Sequence, residues 1–277
     1  MSQPGGRSDR DLLLGYVDVW WHAVVDLTHL LESLPAEQWS MPTDLPGWDV
    51  HAVAAHTAHL EAVLAGAPEE TVEVEPAPHV RGLMGLYTEQ GVVARRDRTP
   101  DELVSEIRTS AAIRHALLLA DPPTDASARP AVIFGGVPWD WRTLLRNRPL
   151  DVWMHEQDVR RAVGRPGGLD SAAAKHTADY LAESLPMVVA KRVGAPAGTT
   201  VVLRMPGSRP LSVRVNTEGR GVRVPEVPAD PTVRISTDRE TFVCLAGGRR
   251  APAPGEVGLD GDQELGHRIL DAMAVTP

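Results

Sequence analysis

Apolar residues recur every three or four positions from Leu12 through Leu13, Tyr16, Val17, Trp20, Val24, Leu27, Leu30 and Leu31 to Leu34. That spacing predicts one long amphipathic helix opening near Asp9 and stopped by Pro35, with residues 1–8 disordered ahead of it. Pro42, Pro46 and Gly47 make 39–48 a loop. A second helix follows from about 48 to 64, with Asp49 as its N-cap and Gly66 and Pro68 beyond its end. Residues 67–79, with three Pro and four Glu, read as an exposed acidic loop. Further helices are predicted over about 80–96 and 100–119. A Pro/Gly-bearing connection over 121–137, with a short strand near 131–134, leads to a fifth helix over 139–163. Pro149 should kink or break that helix. A helix over about 171–189 closes the helical part.

Beyond Gly194 the period changes. β-branched runs of strand length occupy 199–205, 211–216, 222–224 and 232–236, separated by Gly-containing turns. Helices over about 238–245 and 262–273, capped by Asp238 and Asp262, follow them. The pattern is therefore α+β, with a helical domain over 9–192 and a smaller strands-then-helices domain over 197–277.

Composition narrows the function classes. A net charge of −9 with only two Lys, Lys175 and Lys191, gives neither a nucleic-acid surface nor a polybasic membrane patch. No window is apolar enough to span a membrane, and the first ten residues lack the apolar core of a signal peptide. One cysteine, Cys244, precludes an intramolecular disulfide and fits a reducing cytoplasm. Its Phe-Val-Cys-Leu-Ala setting is that of a buried small hydrophobe, so thiol chemistry here would need a thiol from outside the chain. Phosphate loops, dinucleotide-binding fingerprints, nucleophile elbows and zincin helices are absent.

The chemistry concentrates in Asp151-Val152-Trp153-Met154-His155-Glu156-Gln157-Asp158-Val159-Arg160. Asp151 and His155 are four apart and share one helical face, a spacing that lets a carboxylate and an imidazole grip one metal ion. A third ligand would come from a facing helix of the same bundle. His56 is the candidate, with His51 and His59 as rivals on its helix. Glu156 and Asp158 rival Asp151. For Arg160 and Arg161 ordinary ion pairs with neighbouring carboxylates are the plainer expectation.

Two segments bear a resemblance. Pro46-Gly47-Trp48-Asp49-Val50-His51-Ala52-Val53-Ala54-Ala55-His56 resembles the Pro-Gly-Trp-Thr-Val-x-Asp-x-x-x-His signature of mycothiol-dependent maleylpyruvate isomerase-like proteins. The stretch from Arg148 to Ala162 is similar to their second signature. The resemblance implies a DinB-like four-helix bundle followed by a sterol-carrier-like α+β domain. It implies a divalent metal, typically zinc, on His56, Asp151 and His155, with Asp151 standing where the best-known member has Glu. It further implies that mycothiol is the thiol co-substrate, activated at the open metal position for attack on a small electrophile. The outcome would be cis–trans isomerisation or S-transfer.

Arg148 and Arg160 are then the candidates for steering an anionic substrate or the thiol. Trp48 and Trp153 would pack the bundle and shield the metal, with Trp153 the candidate against the thiol cofactor. A metal-dependent hydrolase and a non-catalytic small-molecule-binding protein are the competing readings. Monomer and homodimer are both compatible with the sequence.

Overall fold

A computed structural model describes residues 7–276 and divides into two compact units, 1–173 and 174–277. In the first, α1 (Asp9–Glu32), α2 (Val50–Leu64), α4 (Pro100–Ala120) and α5 (Trp141–Ala162) form a four-helix bundle. Around it α1 lies between α4 and α5, and α2 likewise touches both. The short α3 (Gly82–Val93) packs chiefly on α2. Each start is fixed by a side chain that satisfies an orphaned backbone N–H. Ser8 caps α1, Asp49 caps α2, Thr99 and Glu102 form a reciprocal box on α4, and Asp140 caps α5. Ser8 is thus an ordered cap rather than part of a disordered tail. The rest of that expected tail, residues 1–6, lies outside the described residues.

α5 continues through Pro149 as a single helix. The cost is local: proline removes one N–H from the helical ladder. The strand expected at 131–134 does not form; these residues are irregular, and Phe134 instead fills a core cluster with Leu60, Val63, Leu64 and Leu144.

The second unit includes most of α6 (Ala172–Ala182), then α7 (Leu185–Met187) and a π-helical turn, Val188–Arg192. The boundary therefore falls earlier than an end of the helical domain at 192. The reason is packing: α7 lies on strands β2 (Leu211–Val215) and β3 (Gly221–Val224). The sheet is mixed, in the order β3-β2-β1-β4-β5, with β1 (Thr200–Arg204) parallel to β4 (Val233–Thr237) and every other pairing antiparallel. α8 (Arg239–Ala246) follows β4, and α9 (Gln263–Asp271) follows β5 (Val257–Gly261). β5 had no signal of its own, because Val-Gly-Leu-Asp-Gly is poor in β-formers. Pairing along all five residues of β4 makes it a strand. Among the described residues no helix is long and apolar enough to cross a membrane.

Candidate metal centre

The loop ahead of α2 is tied to itself before the helix begins. Val50 N–H donates to the Met41 carbonyl, His51 N–H to that of Trp39, and Thr43 N–H to that of Trp48. At the Pro46-Gly47 turn the φ of Gly47 is 83°, and a Cβ there would sit 2.4 Å from the His79 ring. Only glycine meets both conditions. This fixed turn delivers Trp48 against the helix it precedes, 5.0 Å from the His56 ring and 6.3 Å from that of His155, centroid to centroid. Trp48 Nε1–H donates to Glu89 of α3 at 2.8 Å, which also meets His79 Nε2 at 3.3 Å.

Small residues Ala52, Ala54, Ala55 and Ala58 let α2 approach its neighbours closely, and all but one of its residues are buried. His56 projects from it toward Asp151 and His155 on α5. His56 Nε2 lies 3.9 Å and His155 Nε2 3.7 Å from the same Asp151 oxygen, Oδ1. Ligand atoms of the three residues all fall within 4.8 Å of one another. Those Nε2–Oδ1 distances are too long for hydrogen bonds. They approach the ~3.3–3.6 Å that donors spaced tetrahedrally around a metal at about 2.0–2.2 Å would show. Two imidazoles and one carboxylate also match the donor chemistry of zinc. The residues therefore fit a divalent cation, and three protein ligands leave it a further position.

The surroundings suit that use. Asp158 Oδ2 is 3.2 Å from His155 Nδ1, and since a carboxylate only accepts, Nδ1 is the donor and Nε2 is the nitrogen turned to Asp151. Asp158 is held by Arg161, which also reaches Asp44 in the loop ahead of α2. Burial pushes the His56 imidazole below its ordinary value, against the pull of Asp151, and keeps it in the neutral form that binds metal. Burial alone would raise the Asp151 carboxyl. Arg148, then His56 and His155, outweigh it and hold the group well below the usual carboxylate range.

Of the other expected site residues, Arg148 is present but fully buried, bridging Asp151 and Glu61. It cannot reach a substrate, so a steering role does not survive for it. Arg160 pairs with Glu156 at 2.6 Å, about two and a half helical turns beyond Asp151 and so on the opposite face. Trp153, two residues from Asp151 and thus on the opposite face, is buried with its Nε1–H donated to the Gly168 carbonyl at 3.1 Å. The aromatic ring at the centre is Trp48 instead. His51 turns outward to the Arg98 carbonyl, and His59 faces α3. Glu156, committed to Arg160, is no rival to Asp151. Residues that sequence reasoning missed are Glu61, Arg114 and Glu89. Glu61 did carry a signal, as the one acidic residue in helix α2.

A cleft of about 770 Å³ opens beside Trp48, lined also by Trp39, His51, Ala52, Glu89 and Arg96. His56, Asp151 and His155 do not line this cleft themselves; Trp48 lines it and also lies against the two imidazoles.

Two family models match the chain: the mycothiol maleylpyruvate isomerase N-terminal domain over residues 20–160, and the MDMPI C-terminal domain over 175–268. An uncharacterised protein of Mycobacterium tuberculosis, found in two strains, is 26% identical over 261 residues, 91% of this chain and 92% of its own. Crystal structures of the mycothiol-dependent maleylpyruvate isomerase and of a histidine-to-alanine mutant of it share the fold. Their TM-scores are 0.52 and 0.54 at 17% and 18% identity, covering 90% of this chain and 92% of theirs.

Proposed function

The chain belongs to the mycothiol maleylpyruvate isomerase family, and from that membership we propose that it is a metal- and thiol-dependent enzyme acting on a small electrophilic substrate. Mycothiol is the proposed thiol, by analogy with the isomerase whose fold it shares. The observation that carries this reading is the convergence of His56, Asp151 and His155 from two helices on one point.

A divalent cation bound there would supply Lewis acidity that lowers the pKa of a thiol and keeps it as the nucleophilic thiolate. The chain's own residues do the rest. His56, kept neutral by burial, and His155, oriented by Asp158, would present their Nε2 atoms to the cation. Asp151 contributes the negative charge. Trp48 covers the two imidazoles and limits water around them, while the cleft beside it offers the space for thiol and electrophile. Cys244 is buried in the second unit and is no candidate nucleophile. An adduct that rotates and expels the thiol yields cis–trans isomerisation; one that persists yields S-transfer.

The test is metal analysis of the natively purified protein together with thiol-conjugation and isomerisation assays on unsaturated acids with added mycothiol. We expect about one divalent ion per chain, from one three-ligand site, and its loss in His155→Ala. A metal-free wild-type chain that also fails to take up metal would refute the reading. Turnover of esters or amides without thiol would replace it with hydrolysis.

A further inference from the structure

We infer that Glu61 and Arg148 form a buried strut that positions Asp151 so that a single carboxylate oxygen, Oδ1, is offered to the cation. This rests on the metal reading above and concerns residues that do not themselves touch the ion.

Arg148 and Glu61 are both 0% exposed. Arg148 Nη2 donates to Glu61 Oε1 at 2.6 Å, and its Nη1 donates to Asp151 Oδ2 at 2.9 Å. One oxygen of Asp151 is thereby engaged, and the other is the one that both histidine Nε2 atoms approach. Glu61 is anchored in turn. Trp20 Nε1–H from α1 donates to its Oε1 at 3.0 Å, and Arg114 Nη1 from α4 lies 3.7 Å from its Oε2, with its guanidinium 4.9 Å over the Trp20 ring. All four bundle helices therefore meet at Glu61 and Arg148, directly behind the metal ligands. The charges cancel: Glu61 and Asp151 against Arg148 and Arg114. That balance is what permits ions at this depth.

A planar guanidinium is needed for this task. Its fork reaches two carboxylates at fixed angles, whereas an ammonium is a compact charge whose rotatable donors fix no such angle between them. Without the fork Asp151 could rotate about its short side chain and present either oxygen or both.

The decisive variants are Arg148→Lys, which keeps the charge but not the fork, and Glu61→Gln. Zinc affinity is read by competition with a chromophoric chelator, geometry by the visible spectrum of the cobalt-substituted protein, and folding by circular dichroism and denaturation of the metal-free form. We expect folded variants that bind zinc about 10–100-fold more weakly, as for other residues that orient metal ligands, with shifted cobalt bands. Wild-type affinity and spectrum in folded variants overturn the inference, as does weakening that merely tracks lost stability. If both variants fail to fold, a crystal structure of the zinc-loaded wild type decides. Asp151 bound through Oδ1 with Arg148 on Oδ2 supports the strut; chelation through both oxygens overturns it. A wild-type chain that takes no cation overturns the metal reading and this inference with it.

Discussion

His56 and His59 are three residues apart on α2, both buried, and of the two it is His56 that faces Asp151 and His155. Three residues turn a helix by 300°, so the two side chains diverge by about 60°. His56 points to α5, where Asp151, His155 and Trp48 surround it. His59 points to α3, packed 5.1 Å from the Tyr87 ring and against the backbone of Gly91. Among the described residues neither of its ring nitrogens has a hydrogen-bond partner, and burial, then Arg95 and His56, push its pKa down to about 3. The same residue type, at similar depth on the same helix, joins a candidate ligand cluster in one direction and is a packing element in the other. What differs is the polarity of the helix each one faces.

The sharpest way to break that contrast is to remove each ring. His56→Ala should weaken metal binding by more than about 100-fold and abolish thiol-dependent turnover, beyond the effect of losing an orienting residue. His59→Ala should leave metal content intact and instead cost about 1–3 kcal/mol in denaturant unfolding, as a buried truncation does. Exchanged outcomes would reverse the assignment of the two residues.

Gly91→Ala comes next. Its Cβ would lie 2.3 Å from His59 Cγ, so the expected loss is about 1–3 kcal/mol from overpacking. In a His59→Ala background the same change should be neutral, or stabilising by up to about 1 kcal/mol, because alanine favours a helix once the clash is gone. A cycle showing no coupling would mean that α3 is not held against His59.

The titration of His59 gives a smaller, graded effect in the metal-free protein. In the unfolded chain the ring binds a proton as pH falls below its ordinary 6.5; in the folded chain it resists protonation down to about 3. The unfolded state therefore holds more protons throughout that window. Stability should fall as pH drops from 6.5 toward 3, by at most about 1.4 kcal/mol per unit from this group. His59→Leu should flatten the curve of unfolding free energy against pH; an unchanged slope would place the acid sensitivity elsewhere.

The smallest effects belong to the far face of α5. Trp153→Phe loses the hydrogen bond to Gly168 and should cost about 1 kcal/mol without changing metal affinity. Arg160→Ala should likewise leave zinc binding and turnover at the wild-type level, since Arg160 serves Glu156. A large activity loss in either would restore them to the site.

Much of this arrangement was legible in local pattern. The 3.6-residue period laid out α1, α2, α4 and α5, Asp49 was recognisable as a cap, and the four-residue spacing of Asp151 and His155 placed both on one face. Nearness in sequence suggests Trp153 as a neighbour of Asp151, although residues two apart on a helix point nearly opposite ways, while Arg160 makes the ion pair that is its plainer expectation. Arg148 reads as a steering group for an anionic substrate or the thiol because its partner, Glu61, is 87 residues away. β5 was invisible because its only reason to be extended is the neighbouring strand.

The sequence by itself determined the order of helices and strands, the kinds of donor available, and the faces on which they lie, since these depend on backbone propensity and side-chain period. Only the tertiary structure decided that α2 turns His56 rather than His59 toward α5, that Glu61 meets Arg148, and that Trp48 rather than Trp153 covers the histidines. Those outcomes depend on which helices pack together and at what rotation, a matter of shape and buried charge balance between distant segments that no local pattern records.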